Sequence, residues 1–132
     1  MTSPYKAIKI ALDTKLATLG GTTPVAWENI RYEPVIGRMY LRPTLLLGQS
    51  SDIDLQVTQV NRGIYQVDVF FPVNKGQSEM LDKMDAIYNL FKGQILTVSG
   101  TDVHINSISI SRFLTEQAWI VGSVEVSFSC YK

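Results

Sequence analysis

A strict alternation of apolar and polar side chains near the C-terminal end restricts the fold more than any other feature. Between residues 118 and 130, one set of alternate positions is apolar, namely Ile120, Val124, Val126, Phe128 and Cys130. The positions between them carry Glu125, Ser127 and Ser129. A period of two predicts a strand with one buried and one solvated face. The chain must therefore build a sheet and cover one side of it.

Two segments with helical spacing can provide that cover. The first runs from a cap at Ser3, with Pro4 in the first turn, to Gly20-Gly21, where the helix is expected to end. Its apolar residues are Tyr5, Ile8, Leu12, Leu16 and Leu19, and Lys9 and Asp13 are spaced to form an ion pair. The second is expected to begin with a cap at Ser78 and to end at Gly93, and its apolar stripe is Met80, Met84, Ile87, Tyr88 and Phe91.

The remaining apolar runs predict further strands. We expect strands within residues 25–30, 53–58, 65–71, 94–99 and 103–114, with a turn at 61–63 and another at 74–76. In the strand over 103–114 the apolar phase changes between Ile105 and Ile108. A bulge near Asn106-Ser107 would keep both apolar pairs buried. Pro34, Gly37 and Pro43 predict a long loop over residues 31–51 that contains an edge segment.

This order of elements predicts a single α+β domain over residues 1–132. We expect a mostly antiparallel or mixed sheet with both helices packed on one face. Trp27 and Tyr65 are expected to pack in the core, while Gly63 and Gly76 are expected to serve turns.

Charge and composition exclude several classes of partner. Twelve basic residues balance twelve acidic ones, which argues against a broad electrostatic surface for nucleic acid or membrane. No apolar run approaches the ~20 residues of a membrane span, so we expect a soluble protein without membrane association. The single cysteine, Cys130, lies on the buried face of its strand and is expected to be a packed thiol.

Candidate catalytic groups are few. His104 is the only histidine and shares a strand face with Asp102, but nothing nearby supplies a third metal ligand. No nucleophile elbow, phosphate-binding loop or zinc-protease motif is present. We therefore predict neither enzymatic activity nor a metal or cofactor. A small enzyme that uses Asp102 and His104 remains the alternative from another class.

The central loop is the strongest candidate for a contact surface. Arg38, Met39, Tyr40 and Arg42 combine residue types that are enriched at protein interfaces. Trp119 lies on the polar face of the final strand, so we expect it to be partly exposed and to belong to the same class of site. These five residues are the predicted interface.

Several short segments resemble one family of tailed-phage and prophage proteins. They are Val25-Ala26-Trp27-Glu28-Asn29, Tyr32-Glu33-Pro34, Tyr40-Leu41-Arg42, Arg62-Gly63-Ile64-Tyr65-Gln66-Val67-Asp68-Val69, Pro72, Gly76 and Phe91-Lys92-Gly93, followed by a strand pair that bears a tryptophan. The chain is similar in these segments to small tail-terminator or tail-completion proteins of the lambda type. The likeness covers the chain from about residue 25 onward.

The resemblance implies a structural role in the virion tail, with assembly in the cytoplasm of the bacterial host. Such proteins form a ring, typically hexameric, at the head-proximal end of the tail tube. That ring ends tube polymerisation and offers a surface for head attachment. The implied partners are other copies of the chain, the major tail tube protein and a head–tail connector protein. Replacing Tyr40 and Arg42 with Ala is expected to leave the monomer folded and to block ring formation on tubes.

Two other structural readings compete with this one. A head–tail neck or completion protein of similar size would join heads to tails without controlling tube length. A host-encoded binding domain would have no role in the virion at all, and the neighbouring genes would reveal it.

Overall fold

Two helices and six strands make up the part of the chain that the computed structural model describes, which is residues 5–19, 21, 23–52, 59–98, 100–111 and 114–131. In chain order these elements are α1 (Tyr5–Ala17), β1 (Tyr40–Asp52), β2 (Gln59–Pro72), α2 (Ser78–Phe91), β3 (Ile95–Val98), β4 (Thr101–Ile110), β5 (Leu114–Glu116) and β6 (Trp119–Tyr131).

The strands form one sheet in the order β1-β2-β6-β4-β3, and the short β5 pairs with β6. Every pairing between named strands is antiparallel. The sheet is strongly curled, and the architecture confirms the predicted α+β domain. It also places β1 at one edge, where Pro43 can be accommodated without loss of a hydrogen bond inside the sheet.

Both helices cover the same face of the sheet, as predicted. That face presents the alternating sets Tyr65, Val67, Val69 and Phe71 of β2 and Val124, Val126, Phe128 and Cys130 of β6, all buried. The helices add Ile8, Ala11, Leu12, Leu16, Met80, Met84, Ile87 and Phe91. Tyr65 is fully buried, as predicted, whereas Trp27 is only partly buried and packs at the margin of this core. The thiol of Cys130 is buried, as expected.

The helix boundaries differ from the sequence prediction at one cap. Gln77, not Ser78, precedes the first residue of α2, and its side chain makes no capping hydrogen bond. Ser78 is already helical, so its hydroxyl is not in the capping position. The predicted ion pair between Lys9 and Asp13 is present at 3.0 Å. The predicted cap at Ser3, with Pro4 and the stop at Gly20, lies outside the described residues.

Residues 61–63 do not form a turn, and this is the largest correction to the predicted strands. They lie inside β2, where Gly63 pairs with Leu47 on one side and Phe128 on the other. A Cβ at Gly63 would stand 2.5 Å from the carbonyl oxygen of Leu46 and 2.8 Å from the Phe128 ring. Glycine is therefore required here because the neighbouring strands approach closely, and not because the chain turns. The predicted strand over 53–58 lies outside the described residues.

The strand predicted over residues 25–30 is also wrong. Only Val25 makes a β-bridge, a parallel one with Leu41. The amide of Ala26 donates to the carbonyl of Leu41 at 2.7 Å, and the amide of Leu41 donates to the carbonyl of Pro24 at 3.0 Å. The segment is held against the outer edge of β1 by these bonds and by the Glu28 carboxylate, which accepts from the amide of Leu45 at 2.9 Å. Because an exposed edge invites pairing with other chains, this segment protects β1 over residues 41–45.

The predicted long loop over residues 31–51 is shorter than expected, because β1 already begins at Tyr40. The predicted bulge is confirmed, since the β4–β6 register shifts between Ile105 and Ser107. It does not bury the whole apolar set, because Ile110 stays 45% exposed. The strand predicted over 103–114 is interrupted, with β4 ending at Ile110 and β5 beginning at Leu114. Neither helix in the described ranges is long and apolar enough to cross a membrane.

Candidate assembly surface

Four aromatic rings gather on the face of the sheet that the helices leave uncovered. Tyr40 stacks on Phe70 with 4.5 Å between ring centroids, and Trp119 meets Tyr40 edge-on at 5.3 Å. Tyr32 approaches Tyr40 from the preceding loop at 5.1 Å. The strand register brings them together, because Tyr40 pairs with Phe70 and Trp119 pairs with Pro72. We call Tyr32, Tyr40, Phe70 and Trp119 the aromatic patch.

A buried carboxylate lies beside the aromatic patch. Asp68 is 5% exposed and accepts hydrogen bonds from the amide group of Gln66 at 2.8 Å and from the hydroxyl of Ser123. The guanidinium of Arg42 reaches its other oxygen at 3.2 Å and lies over the Phe70 ring, 4.7 Å from the centroid. Three donors compensate for the removal of this charge from water. Arg42, about half exposed, is therefore fixed in place while keeping part of its charge toward solvent.

A rigid turn projects two apolar side chains next to this patch. The amide of Arg38 donates to the carbonyl of Val35 at 3.1 Å, and Gly37 at the third position has φ 86°. Only glycine adopts that conformation without strain. The Lys75 ammonium contacts the carbonyl of Gly37 at 3.4 Å. Val35 and Ile36, which we call the apolar tip, are 55% and 84% exposed.

The five predicted interface residues fall in three different environments. Tyr40, Arg42 and Trp119 come together around Phe70, and Trp119 is half-buried, as expected for a partly exposed residue. Arg38 lies on the exposed turn, whereas Met39 is half-buried and packs against the core. Their role in an interface stays a prediction.

The burial of Tyr40 changes the expected outcome of the double substitution. Tyr40 is only 7% exposed and supports Phe70 and Trp119, while Arg42 pairs with the buried Asp68. Replacing both with Ala would remove packing and leave a buried carboxylate with fewer donors. The expectation that this variant keeps the monomer intact stays a prediction, and variants at the exposed apolar tip are the cleaner probes because their side chains lie outside the core.

A second concave surface lies between α1 and the turn over residues 27–30. Its walls are Thr14, Ala17, Trp27 and Ile30, and the cavity between them measures about 350 Å³. The turn is closed by the amide of Ile30, which donates to the carbonyl of Trp27 at 3.2 Å, and Asn29 takes φ 58° there. We call this surface the α1 groove.

A polar network forms the rim of the α1 groove. The Lys9 ammonium bridges Asp13 at 3.0 Å and Glu28 at 3.2 Å. Partial burial disfavours the charged ammonium, but the hydrogen bonds and charges of these two carboxylates outweigh it and raise the pKa of Lys9. The hydroxyl of Tyr65 donates to Asp13, and burial together with that bond raises the pKa of the phenol far above its usual value. The network thus ties α1 to β2 and, through Glu28, to β1.

The two residues considered for catalysis, Asp102 and His104, both lie on β4. Asp102 is exposed and accepts a hydrogen bond from the hydroxyl of Thr97 at 2.6 Å, while His104 is half-buried two residues further along β4. Within the described ranges no three His, Cys, Asp or Glu side chains are grouped as metal ligands.

The fold defines the class first, which is a single α+β domain with two helices packed on one antiparallel sheet. Comparison with protein families then gives the particular assignment. Residues 7–128 match the family described as phage tail terminator protein, so the chain belongs to that family. This confirms the resemblance that the sequence segments indicated.

A solved structure supports the fold independently. It is 22% identical in sequence, covers 96% of this chain and 94% of its own, and superposes with a TM-score of 0.78. At that identity the likeness establishes the fold alone. A search of curated proteins found no match.

Sequence reasoning missed two parts of this surface. Asp68 was one of several scattered carboxylates, and only the register shows that Arg42, Asp68 and Ser123 are directly opposite one another. The apolar tip had a visible signal, because the β-branched pair Val35-Ile36 stands between Pro34 and Gly37 in a polar loop. Apolar side chains in a tight turn have no neighbouring strand to cover them.

Proposed function

We propose that this protein caps the head-proximal end of the phage tail tube as a ring, ends tube polymerisation and presents a surface for head attachment. The observation that carries the proposal is family membership over residues 7–128, within a chain built as one compact sheet-and-helix unit. The partners would be further copies of the chain in a hexameric ring, the major tail tube protein and a head–tail connector protein.

Two surface features support the proposed ring. Identical subunits close a ring through head-to-tail contacts, so each subunit needs two different patches that complement each other. This chain has an apolar tip beside the aromatic patch and a separate groove against α1. Both lie outside the core, so they are available for contacts without unfolding the domain.

Termination follows from a difference between the two sides of such a ring. One side would reproduce the contacts that a tube subunit offers to the next, and the other side would not. Polymerisation stops when the last layer offers no matching surface, without any chemical step.

Electron microscopy of particles from a phage or prophage with this gene disrupted tests the proposal. We expect overlong tails of irregular length that lack heads, and normal tails after complementation with the intact gene. Tails of normal length that fail to join heads would contradict termination and favour a neck protein. Intact, infectious particles would exclude a role in the virion.

A further inference from the structure

We propose that the apolar tip of one copy seats in the α1 groove of the next copy, and that this contact is the repeating joint of the assembly. The inference rests on the proposed ring, because it names the two surfaces that would join neighbouring subunits. Its occupant is a second copy of this chain.

The tip has the properties of a preformed knob. Val35 and Ile36 are more than half exposed, and Ile36, at 84%, is exposed to the greatest extent of the large apolar residues in the described chain. The hydrogen bond across the turn and the positive φ of Gly37 define the tight turn that carries them. An apolar knob on such a turn gains the burial of its side chains on docking.

The α1 groove has an apolar lining that suits the tip. It is an open surface depression of about 350 Å³, and Trp27, Ile30 and Ala17 form its apolar wall. Ile30 is itself 65% exposed in the single chain. Insertion of the tip would therefore cover apolar surface on both partners.

Charge is complementary between the two surfaces. Arg38 belongs to the turn that carries the tip, and Lys75 contacts the same turn. The groove rim holds the carboxylates of Asp13 and Glu28 against the single ammonium of Lys9. A basic knob thus faces a rim with an excess of negative charge, which favours this orientation over tip against tip.

The two surfaces are built from different residues, so a contact between them is not self-pairing. The tip precedes Tyr40 at the start of β1, whereas the groove rim is fixed to Leu45 by the bond from its amide to Glu28. A contact between two different surfaces is heterologous, as ring closure requires.

The contact between the tip and the groove is small, so it should form only when the local concentration of subunits is high. A four-residue turn cannot bury the roughly 800 Å² per partner that is typical of a stable complex. We therefore expect weak pairwise association in free protein and a stable ring only where a template raises the local concentration, as the end of a tube would.

Cross-linking between variants tests the joint directly. Ile36→Cys places a thiol on the tip and Thr14→Cys places one on the groove wall, whereas the native Cys130 is buried. A mixture of the two variants, treated with a short bis-maleimide, should give a covalent dimer in several-fold excess over either variant alone. A matched mixture of Ile36→Cys with Leu81→Cys, an exposed position on α2, should stay at background.

A charge variant sharpens the same assay. Arg38→Glu in the tip variant should lower the yield of the mixed dimer several-fold, while Lys92→Glu beyond the end of α2 should not change it. The measurement is made on concentrated free protein and on purified particles that carry both cysteines in one chain. In particles the product should be a ladder of covalent multimers.

The outcomes separate this inference from the proposed function. Mixed-dimer yield at the level of the Leu81 control, in free protein and in particles, would overturn the joint even if gene disruption gave overlong tails. Dominant cross-linking of Ile36→Cys to itself would also overturn it, because the contact would be tip to tip. A specific mixed dimer together with normal tails after gene disruption would support the joint and contradict the capping role.

Discussion

The two faces of the sheet are built on different principles. The covered face is a continuous apolar layer under α1 and α2, and its residues alternate along β2 and β6. The uncovered face carries the aromatic patch, a buried carboxylate with three donors and a row of small polar side chains. The covered face stabilises each chain by burying apolar side chains. The uncovered face stabilises it through specific ring contacts and hydrogen bonds, such as those to Asp68.

This difference teaches where folding and assembly can be separated. Apolar burial is lost wherever a core side chain is truncated, so the covered face should respond strongly to any truncation. The exposed tip contributes little to the isolated chain, so its substitution should affect association alone. Substitutions at Asp68 and at Tyr65 should have effects on stability between these two extremes.

The largest effect on stability is expected at the centre of the covered face. Phe128 is 1% exposed and packs directly against Gly63. Phe128→Ala should lower the free energy of unfolding by about 3–5 kcal/mol, because it removes a buried ring and leaves a cavity. Urea unfolding followed by tryptophan fluorescence measures this. A loss as small as that of Leu114→Ala, at an exposed position of β5, would show that the face is not tightly packed.

A smaller but clear loss is expected for the buried carboxylate of the uncovered face. Asp68→Ala should cost about 2–3 kcal/mol, because Ser123 and Gln66 lose their acceptor in a buried position. Arg42→Ala should cost less, since Arg42 is half exposed. A double-mutant cycle measures the coupling between the two side chains, and additivity would argue against their direct interaction.

The bond from Tyr65 to Asp13 is expected to contribute about 1.5 kcal/mol, so Tyr65→Phe should lower stability by that amount at neutral pH. The pKa of Tyr65 is raised on folding above its ordinary value of 10.0, so its contribution is complete below that pH and is lost above it. The stability advantage of the wild type over Tyr65→Phe should therefore shrink as the pH rises above about 10. An advantage that stays constant over that range would contradict the shift.

The smallest effect on stability is expected at the apolar tip. Ile36→Asp should change the free energy of unfolding by less than about 0.5 kcal/mol, because the side chain is 84% exposed. Thermal unfolding of the two proteins measures this. A decrease in Tm of more than a few degrees would show that the tip contributes to the stability of the isolated chain.

The sequence predicted the covered face well, because period-two alternation in β2 and β6 and the helical stripe of α2 report burial directly. It predicted the bulge near Asn106 from a change of phase. It failed where long-range geometry decides, as at Gly63, whose neighbours in space are Leu46 and Phe128. A glycine after Asn61-Arg62 has the composition of a turn, and local sequence does not reveal two strands pressing on it.

The candidate site was predictable only in part. Interface-prone residues at Arg38, Tyr40, Arg42 and Trp119 could be named from composition, and the structure brings three of them together. The α1 groove could not be predicted, since Thr14, Trp27 and Ile30 meet only after α1 packs beside a turn with an Asn29 of positive φ. Burial of Tyr40 depends on its stacking with Phe70, which the strand register determines.

Tail length in particles complemented with an exposed-tip variant tests the central claim most directly. Phage with this gene disrupted would be complemented with wild type, Ile36→Asp or the matched Leu114→Asp, whose side chain is also exposed. We predict overlong, headless tails for Ile36→Asp and tails of normal length for Leu114→Asp, with both purified proteins as stable as wild type. Normal tails with a folded Ile36→Asp protein would contradict the assignment of assembly to the tip.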